Sequence, residues 1–246
     1  MLRAQTDEIQ VYDAEIEDHH KISLELHNNF TFEGRKTADF PGGVISNHAY
    51  VGVAEWAYGV LPWFEQGLYL PLYSYTPAQG LTYNGFKIRE LFVKPKAAEQ
   101  NFFYGVNFEF SVNQKQWNPR RYSSEVRGIF GWHIRPTGDA KWKQIDVIID
   151  PIVDTDYTGG VKSLELVPSE RVAYNLNKTW QLAVEHYSDY GQLRNIVPVS
   201  QQFHQVWAVV DRASEKWVHV EAGIGFGLTG GSDKITLKLM LERDLN

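Results

Sequence analysis

Two histidine–serine pairs are the first candidates for chemistry in this sequence. His186 lies two residues before Ser188, and Ser200 lies four residues before His204. A histidine that accepts the proton of a serine hydroxyl makes the serine a nucleophile for ester hydrolysis, provided that a third group orients the histidine. Neither pair has a nucleophile-elbow sequence or an evident orienting acid, so we interpret both as polar residues near loops.

Histidines and acids also lie together near the start of the chain. His19, His20 and His27 follow Glu17 and Asp18, and imidazole together with carboxylate can hold a divalent metal. A flexible, polar terminus explains the same residues more simply. The sequence therefore predicts no metal site and no cofactor.

Asp146 and Asp150 have the residue types of a glycoside hydrolase. On a β-strand, two residues at this spacing are separated by about 13 Å. The two carboxyl groups of such an enzyme lie only about 5 to 9.5 Å apart. We therefore expect no glycosidase chemistry, and the protein is predicted not to be an enzyme.

An alternation of apolar and polar residues predicts the elements that carry these side chains. In the segment from residue 101 to 113, Phe102, Tyr104 and Phe108 share one face of an extended strand, and Glu109 lies on the other. Such runs recur along the chain, and most are longer than strands of soluble sheets. The runs are residues 21–35, 48–60, 64–76, 86–95, 101–115, 123–136, 142–154, 164–176, 179–189, 201–212, 216–228 and 234–245.

The connections between these runs alternate in length. The short ones are residues 61–63, 96–100, 137–141, 177–178 and 213–215. Most of the others are longer and rich in Gly, Pro and Asn, for example KTADFPGGVISN, PAQGLTYNG and QWNPRRYSS. Short turns on one side and long loops on the other are typical of outer-membrane barrels, and an even number of strands places both termini on the turn side.

The predicted fold is all-β: a transmembrane, antiparallel, up-and-down β-barrel of about 12 strands, with short periplasmic turns and longer extracellular loops. Residues 21–246 form the barrel. Residues 1–20 are acidic and aperiodic, and they are predicted to be either an N-terminal periplasmic tail or a plug-like strap. The phase of the strands that contain Glu90 and Glu170 stays open, because each acid alternates with apolar residues.

Charged residues occupy the face of these strands opposite to the apolar face. A buried, unpaired charge is costly, so these residues predict a wet or salt-bridged lumen. The predicted pore-lining residues are Glu55, Arg89, Glu109, Arg127, Arg135, Asp146, Asp150, Arg171, Glu185, Asp189, Glu221, Lys238 and Glu242. Acids outnumber bases in this set, which favours passage of cations or neutral solutes over anions.

Aromatic residues recur about every 38 residues, each after a short break and at the start of an extended run. The predicted aromatic belt consists of Trp63, Phe102, Trp142, Trp180 and Trp217. Rings at one height are typical of the membrane–water interface of a barrel. On the partner strands nearby we expect Tyr58, Trp132, Tyr174 and Trp207.

Composition excludes several classes of protein. The net charge is −6, the pI is about 5.8 and no basic stripe is present, which argues against nucleic-acid binding. Cysteine is absent, which excludes disulfides, cysteine-ligated metals and thiol catalysis. Mean hydropathy is −0.36, and no apolar run is long enough for a membrane-spanning helix.

Two soluble folds are alternatives to the membrane barrel. A β-propeller has repeats of similar length, but each blade packs four short strands into one repeat, and the Trp-Asp signature is missing. A jelly roll or a carbohydrate-binding β-sandwich would also explain the aromatic residues and the carboxylates.

Three segments, YGVLPWFEQGLYLPLY, YNLNKTWQLAVEHYSDYG and AGIGFGLTGGSDKITLKLML, resemble proteobacterial outer-membrane channels grouped under phenol degradation by the meta pathway. The resemblance covers most of the chain after residue 20. It implies a twelve-stranded barrel in the bacterial outer membrane and uptake of small hydrophobic or aromatic molecules. Such chains often end on an aromatic residue, whereas this one ends Arg243-Asp244-Leu245-Asn246.

The predicted function is passive diffusion of small solutes through a monomeric channel whose partners are outer-membrane lipid and the solute. The rings that could stack on an aromatic solute are Tyr69, Tyr73, Phe103, Tyr187 and Trp217. The lumen is expected to be widest at the glycines Gly131, Gly223, Gly225 and Gly227. A closed structural or adhesive barrel without transport is the competing hypothesis, and a soluble carbohydrate-binding sandwich is the third.

Overall fold

The regular secondary structure of the described residues is almost entirely β. The computed structural model describes residues 8–135, 144–213 and 218–246. The strands are β1 Ile22–Glu33, β2 Tyr50–Leu61, β3 Phe64–Thr76, β4 Gly80–Val93, β5 Phe102–Asn113, β6 Tyr122–Ile134, β7 Ile145–Asp150, β8 Ile152–Thr155, β9 Glu165–Leu166, β10 Ser169–Asn175, β11 Trp180–Asp189, β12 Gly191–Gln192, β13 Asn195–Ile196, β14 Phe203–Arg212, β15 His219–Gly227 and β16 Ile235–Asp244. Short 3-10 helices lie in the connections at Ala97–Glu99, Gly160–Ser163 and Val199–Gln201. Among the described residues, no helix is long and apolar enough to cross a membrane.

Within the described ranges, twelve strands form one closed antiparallel barrel. Each strand pairs with its neighbours in chain order, from β1 to β7 and then through β10, β11, β14, β15 and β16. Pairing of β16 with β1 closes the wall. The predicted up-and-down barrel is therefore confirmed, and the propeller and sandwich alternatives are wrong.

The remaining short strands, β8, β9, β12 and β13, extend the wall on the loop side. Pro151 separates β7 from β8, and Pro168 lies between β9 and β10. Proline has no N–H to donate to a ladder, so both predicted runs in this region are interrupted. Beyond the interruption, β8 still pairs with β6 and with β9.

Side chains alternate between the two faces of the wall. In β5, Phe102, Tyr104 and Phe108 are exposed, whereas Asn107 and Glu109 are buried. Because the strand period is two, the exposed rings lie on the outer surface and the polar groups lie in the lumen. The outer surface is therefore apolar, as a lipid-facing wall requires.

Glu90 and Glu170 both lie on the outer surface. Leu91, next to Glu90, is buried and faces the lumen. Glu90 Oε1 accepts a hydrogen bond from Gln66 Nε2 at 2.9 Å, and Glu170 Oε2 lies 2.8 Å from His186 Nδ1. Each outward acid therefore has a polar partner on the neighbouring strand.

The connection after β3 is shorter than predicted. β3 ends at Thr76 and β4 begins at Gly80, so only residues 77–79 connect them. Gly80 and Gly85 have φ angles of 70° and 128°, a backbone conformation that is open to glycine and strained for other residues. These glycines let the strand continue through a sequence that resembles a loop.

The wall glycines mark places that are filled, not open. A Cβ atom on Gly131 would lie 1.9 Å from the Phe103 ring, and one on Gly225 would lie 2.2 Å from the Trp207 ring. At Gly223 a Cβ would lie 3.0 Å from the Val209 side chain, and at Gly227 it would lie 2.2 Å from the Asp233 carbonyl oxygen. The prediction that the lumen is widest at these four glycines is therefore wrong, because neighbouring side chains or backbone occupy the space.

Candidate functional site in the barrel lumen

The lumen contains the N-terminal segment, residues 8–20. Its turn-side end is held by backbone contacts: the N–H of His20 donates to the carbonyl oxygen of Gly59 at 2.7 Å, and the N–H of Glu17 donates to Glu65 Oε2 at 2.6 Å. A Cβ atom on Gly59 would lie 2.2 Å from the carbonyl oxygen of Asp18. The absence of a side chain at Gly59 therefore lets the segment lie directly against β2.

Tyr12 fixes the middle of the segment. Its hydroxyl lies 2.7 Å from the Tyr69 hydroxyl, and its N–H donates to Asp150 Oδ2 at 2.8 Å. The guanidinium of Arg127 lies over its ring, 4.1 Å from the centroid. Hydrogen bonds and a cation–π contact together hold this buried ring in one orientation.

Ile9 fixes the loop-side part of the segment. It packs against the buried side chains of Ala173, Ala183, Trp207 and Val209. Its carbonyl oxygen accepts a hydrogen bond from Lys238 Nζ at 3.1 Å, and the next carbonyl, that of Gln10, accepts one from Arg127 Nη1 at 3.1 Å. Two lumen cations thus satisfy backbone acceptors that have no strand partner.

One wall of the lumen carries the Arg89–Arg127 cluster. Its members on β2 to β7 are Arg89, Arg127, Glu55, Glu65, Glu109, Glu125 and Asp150. Arg89 Nη1 lies 2.6 Å from Glu55 Oε1 and also pairs through Nη2 with Glu65. Arg127 Nε lies 2.9 Å from Glu125 Oε1. Both arginines also contact Tyr12, so this cluster binds the N-terminal segment as well as the wall.

The opposite wall carries the Arg171–Lys238 cluster. Its members on β10 to β16 are Arg171, Gln181, Glu185, Asp211, Glu221 and Lys238. Arg171 Nη1 pairs with Glu185 and lies 2.7 Å from Glu221 Oε2. Lys238 Nζ lies 2.6 Å from an oxygen of each of these carboxylates. The two cations and two acids thereby connect four strands of the barrel.

Nine of the thirteen predicted pore-lining residues lie in the two clusters, and four lie elsewhere. Asp146 Oδ1 lies 2.7 Å from His133 Nδ1, and Glu242 lies 3.5 Å from His219. Asp189 accepts a hydrogen bond from the N–H of Gly191 at 2.7 Å.

The fourth, Arg135, is at the turn-side rim. It donates to Gln144 Oε1 at 2.9 Å and to the Ala98 carbonyl oxygen at 3.3 Å. These contacts join the strand end to the adjacent turn, so Arg135 belongs to neither cluster.

The N-terminal segment lies between two cavities. The loop-side cavity has a volume of about 620 Å³ and includes Glu109 and Arg127 in its wall. The turn-side cavity has a volume of about 690 Å³ and includes Glu55, Arg89 and Arg171. Gln10 lines both cavities. Of the predicted residues, Asp146, Glu221 and Glu242 also line the turn-side cavity.

The described members of the aromatic belt lie on the outer surface. Trp63, Phe102 and Trp180 are exposed, and Phe102 lies 5.3 Å from the exposed ring of Trp132 on the next strand. Trp142 and Trp217 lie outside the described residues. The expectation that Trp207 belongs near this belt is wrong, because its side chain is fully buried in the lumen against Gly225.

The candidate catalytic pairs do not assemble. Ser188 and His186 share one face of β11, but the buried Ser188 hydroxyl donates to the Pro168 carbonyl oxygen at 3.0 Å. The two ring nitrogens of His186 lie against Glu170 and His204 instead, so the histidine is not engaged with the serine hydroxyl.

The predicted grouping of histidines near the start of the chain also separates. The rings of His19 and His20 lie 3.6 Å apart and are exposed, whereas His27 is buried. His27 instead contacts Glu55 in the lumen.

The predicted pore-lining set did not include several residues that lie in the lumen. They are Tyr12, Glu25, His27, Glu65, Lys87, Glu125, His133 and His219. The strand residues among them share the alternating phase of the inward set, and that signal could have identified them. Tyr12 lies in an aperiodic segment, where no such signal exists.

Comparisons with known proteins show the same fold. No protein-family model and no curated protein matches the chain. The chain is similar to the COG4313 outer membrane channel from Pseudomonas putida F1, with a TM-score of 0.64 and 13% identity over 97% of this chain and 100% of the other. It is also similar to the KdgM porin in complex with disordered oligogalacturonate, with a TM-score of 0.55 and 7% identity over 91% and 99% of the two chains. Both likenesses show a shared outer-membrane barrel fold.

Proposed function

We propose that the protein is a passive channel for small solutes in the bacterial outer membrane, and that its N-terminal segment closes the lumen at rest. The observation that carries this proposal is that the N-terminal segment lies inside the lumen and lines both of its cavities. The apolar outer surface and the exposed aromatic rings support placement in a bilayer, with the short turns toward the periplasm. The fold shared with two solved outer-membrane channels supports the same function.

The charge of the lumen favours cations and neutral solutes. Glu25, Glu65 and Glu125 add further acids to the predicted inward set. Excess negative charge in a narrow pore raises the local concentration of cations and repels anions. A reversal potential measured under a salt gradient is expected to show cation preference.

We infer that small hydrophobic or aromatic molecules are among the solutes. Trp117, Tyr187 and Phe203 lie in the wall of the loop-side cavity, where a solute would first meet the protein. Tyr69 and Phe103 are instead packed within the lumen. Uptake of an aromatic acid and a neutral sugar into liposomes is the measurement, and rates that depend only on molecular size would mean a general pore.

Conductance in planar bilayers tests the channel itself. Deletion of residues 2–17 removes the contacts made by Ile9, Tyr12 and Glu17, so we expect larger or more frequent openings than in the full chain. Deletion of residues 2–7 alone leaves these contacts in place and is the matched control.

A folded barrel that conducts in neither form would contradict the channel and support a closed structural barrel. Equal conductance of all three chains would show that the N-terminal segment does not limit passage.

A further inference from the structure

Glu25, His27 and Glu55 form a compact group of potential metal ligands on β1 and β2. Each offers one ligand atom, and these atoms all lie within 4.8 Å of one another. His27 Nε2 lies 2.9 Å from Glu55 Oε2 and 3.6 Å from Glu25 Oε2. The side chain of His27 is fully buried, and those of Glu25 and Glu55 are 14% and 3% exposed.

The two separations from His27 Nε2 are close to those of a zinc site. Zinc binds imidazole nitrogen and carboxylate oxygen at about 2.0 to 2.2 Å, so tetrahedral ligand atoms lie about 3.4 Å apart. The observed distances of 2.9 and 3.6 Å from His27 Nε2 lie on either side of that value. Small side-chain rotations would bring all three ligand atoms around one ion.

The carboxylates around Glu25 favour binding of a cation. In the sheet register, Glu25 lies directly opposite Glu55 on β2 and directly opposite Glu242 on β16. Like charges at directly opposed positions destabilise a sheet. Arg89 pairs with the other oxygen of Glu55, so Glu55 Oε2 remains directed at His27. A divalent ion would compensate the carboxylates that Arg89 does not pair with.

The N-terminal segment supplies a fourth group. Gln10 Nε2 lies 3.5 Å from Glu25 Oε2, and the amide oxygen of Gln10 is buried without a hydrogen-bond partner. Rotation of the amide would present its oxygen, an ordinary ligand for zinc and similar ions, to the three side chains. Glu25, Glu55 and Gln10 all line the turn-side cavity, which gives an ion a route to the site.

We propose that Glu25, His27 and Glu55 bind a divalent transition-metal cation, with zinc as the best fit, and that Gln10 completes the site and so connects the N-terminal segment to the barrel wall. Metal binding itself does not depend on the protein being a channel. If the channel proposal holds, the ion would stabilise the closed state, because its ligands come from both the wall and the segment.

Zinc titration of the purified, untagged full chain in detergent, after removal of metal with a chelator, tests the site. A chromophoric competitor reports the affinity. We expect one tight site in the wild type, and a loss of affinity of at least about tenfold in His27→Gln and in Glu25→Gln, since even outer-shell changes cost about 10 to 100-fold. Gln10→Ala is expected to weaken binding less, because three ligands remain.

Two controls separate this site from other effects. Glu65→Gln changes another buried carboxylate that pairs with Arg89 but lies outside the ligand group, and it should leave zinc affinity unchanged. His20→Gln removes an exposed imidazole on the turn side and should also leave the tight site intact. Heat-dependent electrophoretic mobility and circular dichroism show that each variant contains a folded barrel.

Equal zinc affinity in the wild type and the folded His27→Gln or Glu25→Gln variant would overturn the site. An equal loss in Glu65→Gln would also overturn it, because the effect would then come from lumen charge in general. If zinc binds at the site but the openings of the wild-type channel do not become rarer, the link to the N-terminal segment is wrong. Binding without any conductance from any form contradicts the channel proposal and leaves the metal site standing.

Discussion

The two charged clusters in the lumen have similar composition and different partners. In the Arg171–Lys238 cluster, the cations pair mainly with acids of the wall, and within the described part of the N-terminal segment one hydrogen bond comes from this cluster, from Lys238 to the Ile9 carbonyl. In the Arg89–Arg127 cluster, both arginines contact Tyr12, and Arg127 also binds the Gln10 carbonyl. The first cluster therefore stabilises the barrel itself, whereas the second couples the barrel to the segment.

The largest expected effect is on the stability of the barrel. Arg171→Met leaves Glu185 and Glu221 without one of their cations, and breaking a buried ion pair costs about 3 to 5 kcal/mol. Urea unfolding in lipid vesicles measures the loss. Because this cluster barely touches the segment, the loss should be the same in the full chain and in the chain that lacks residues 2–17.

Arg127→Met is the matched substitution in the other cluster. Its effect on the free energy of unfolding should differ between the full chain and the chain that lacks residues 2–17 by more than about 0.5 kcal/mol, which is the limit expected for independent sites. Equal coupling of both arginines to the segment would remove the distinction between the clusters.

Tyr12→Phe is expected to raise the open fraction of the channel without lowering the stability of the barrel wall. The substitution keeps the ring over Arg127 but removes the hydroxyl that meets Tyr69, and loss of one buried hydrogen bond costs about 0.5 to 1.5 kcal/mol. Since 1.4 kcal/mol corresponds to a factor of ten, the open fraction in a planar bilayer should rise by about two- to tenfold.

Tyr187→Phe provides the comparison in the opposite wall. Its hydroxyl donates to Glu185 at 2.8 Å, within the Arg171–Lys238 cluster, so its removal should leave the open fraction nearly unchanged. A similar rise in both variants would show that opening depends on lumen polarity in general.

The sequence predicts the strands of the barrel wall better than it predicts how side chains and the N-terminal segment fill the lumen. Alternation in runs such as β5 indicates which residues face the lumen, because a one-residue shift would put Glu109 into lipid. The prediction for Trp207 was wrong because both faces of its strand contain apolar residues, so alternation does not show which face is outward. Its orientation depends on Gly225, directly opposite on β15, whose missing side chain makes room for the indole.

The position of the N-terminal segment could not be predicted for a different reason. Its residues follow no strand period, and the contacts that fix its middle are made to partners far away in the chain, as Tyr12 to Asp150 and Ile9 to Lys238 show. Such contacts exist only once the barrel has closed with the correct register. The metal-ligand group also depends on register, since Glu25 and Glu55 meet only across β1 and β2.

Gly59→Ala tests the turn-side end of the segment. The new Cβ would collide with the Asp18 carbonyl oxygen, and overpacking of this kind costs about 1 to 3 kcal/mol. The chain has no cysteine, so an Ala14→Cys reporter, buried in the segment, can be labelled with a charged maleimide. Labelling should be faster in the Gly59→Ala background.

Gly128→Ala is the control for this effect. A Cβ there would lie 3.2 Å from the Phe130 side chain and 3.3 Å from that of Pro151, without contact to the segment. Labelling that is unchanged by Gly59→Ala would mean that this close approach does not hold the segment in place.

The smallest expected effect concerns the outer surface, where Trp63 and Trp180 are exposed and Trp207 in the lumen is not. Aromatic residues of a barrel belt lie at the level of the lipid headgroups. Lipids brominated near the headgroup should therefore quench part of the tryptophan emission, and that part should shrink in Trp63→Phe and in Trp180→Phe. Trp207→Phe should leave it unchanged, because the indole is separated from lipid by the wall. Emission insensitive to every bromine position would exclude a membrane location. An equal decrease of the quenched emission in all three variants would contradict the placement of Trp207 in the lumen and of Trp63 and Trp180 on the outer surface.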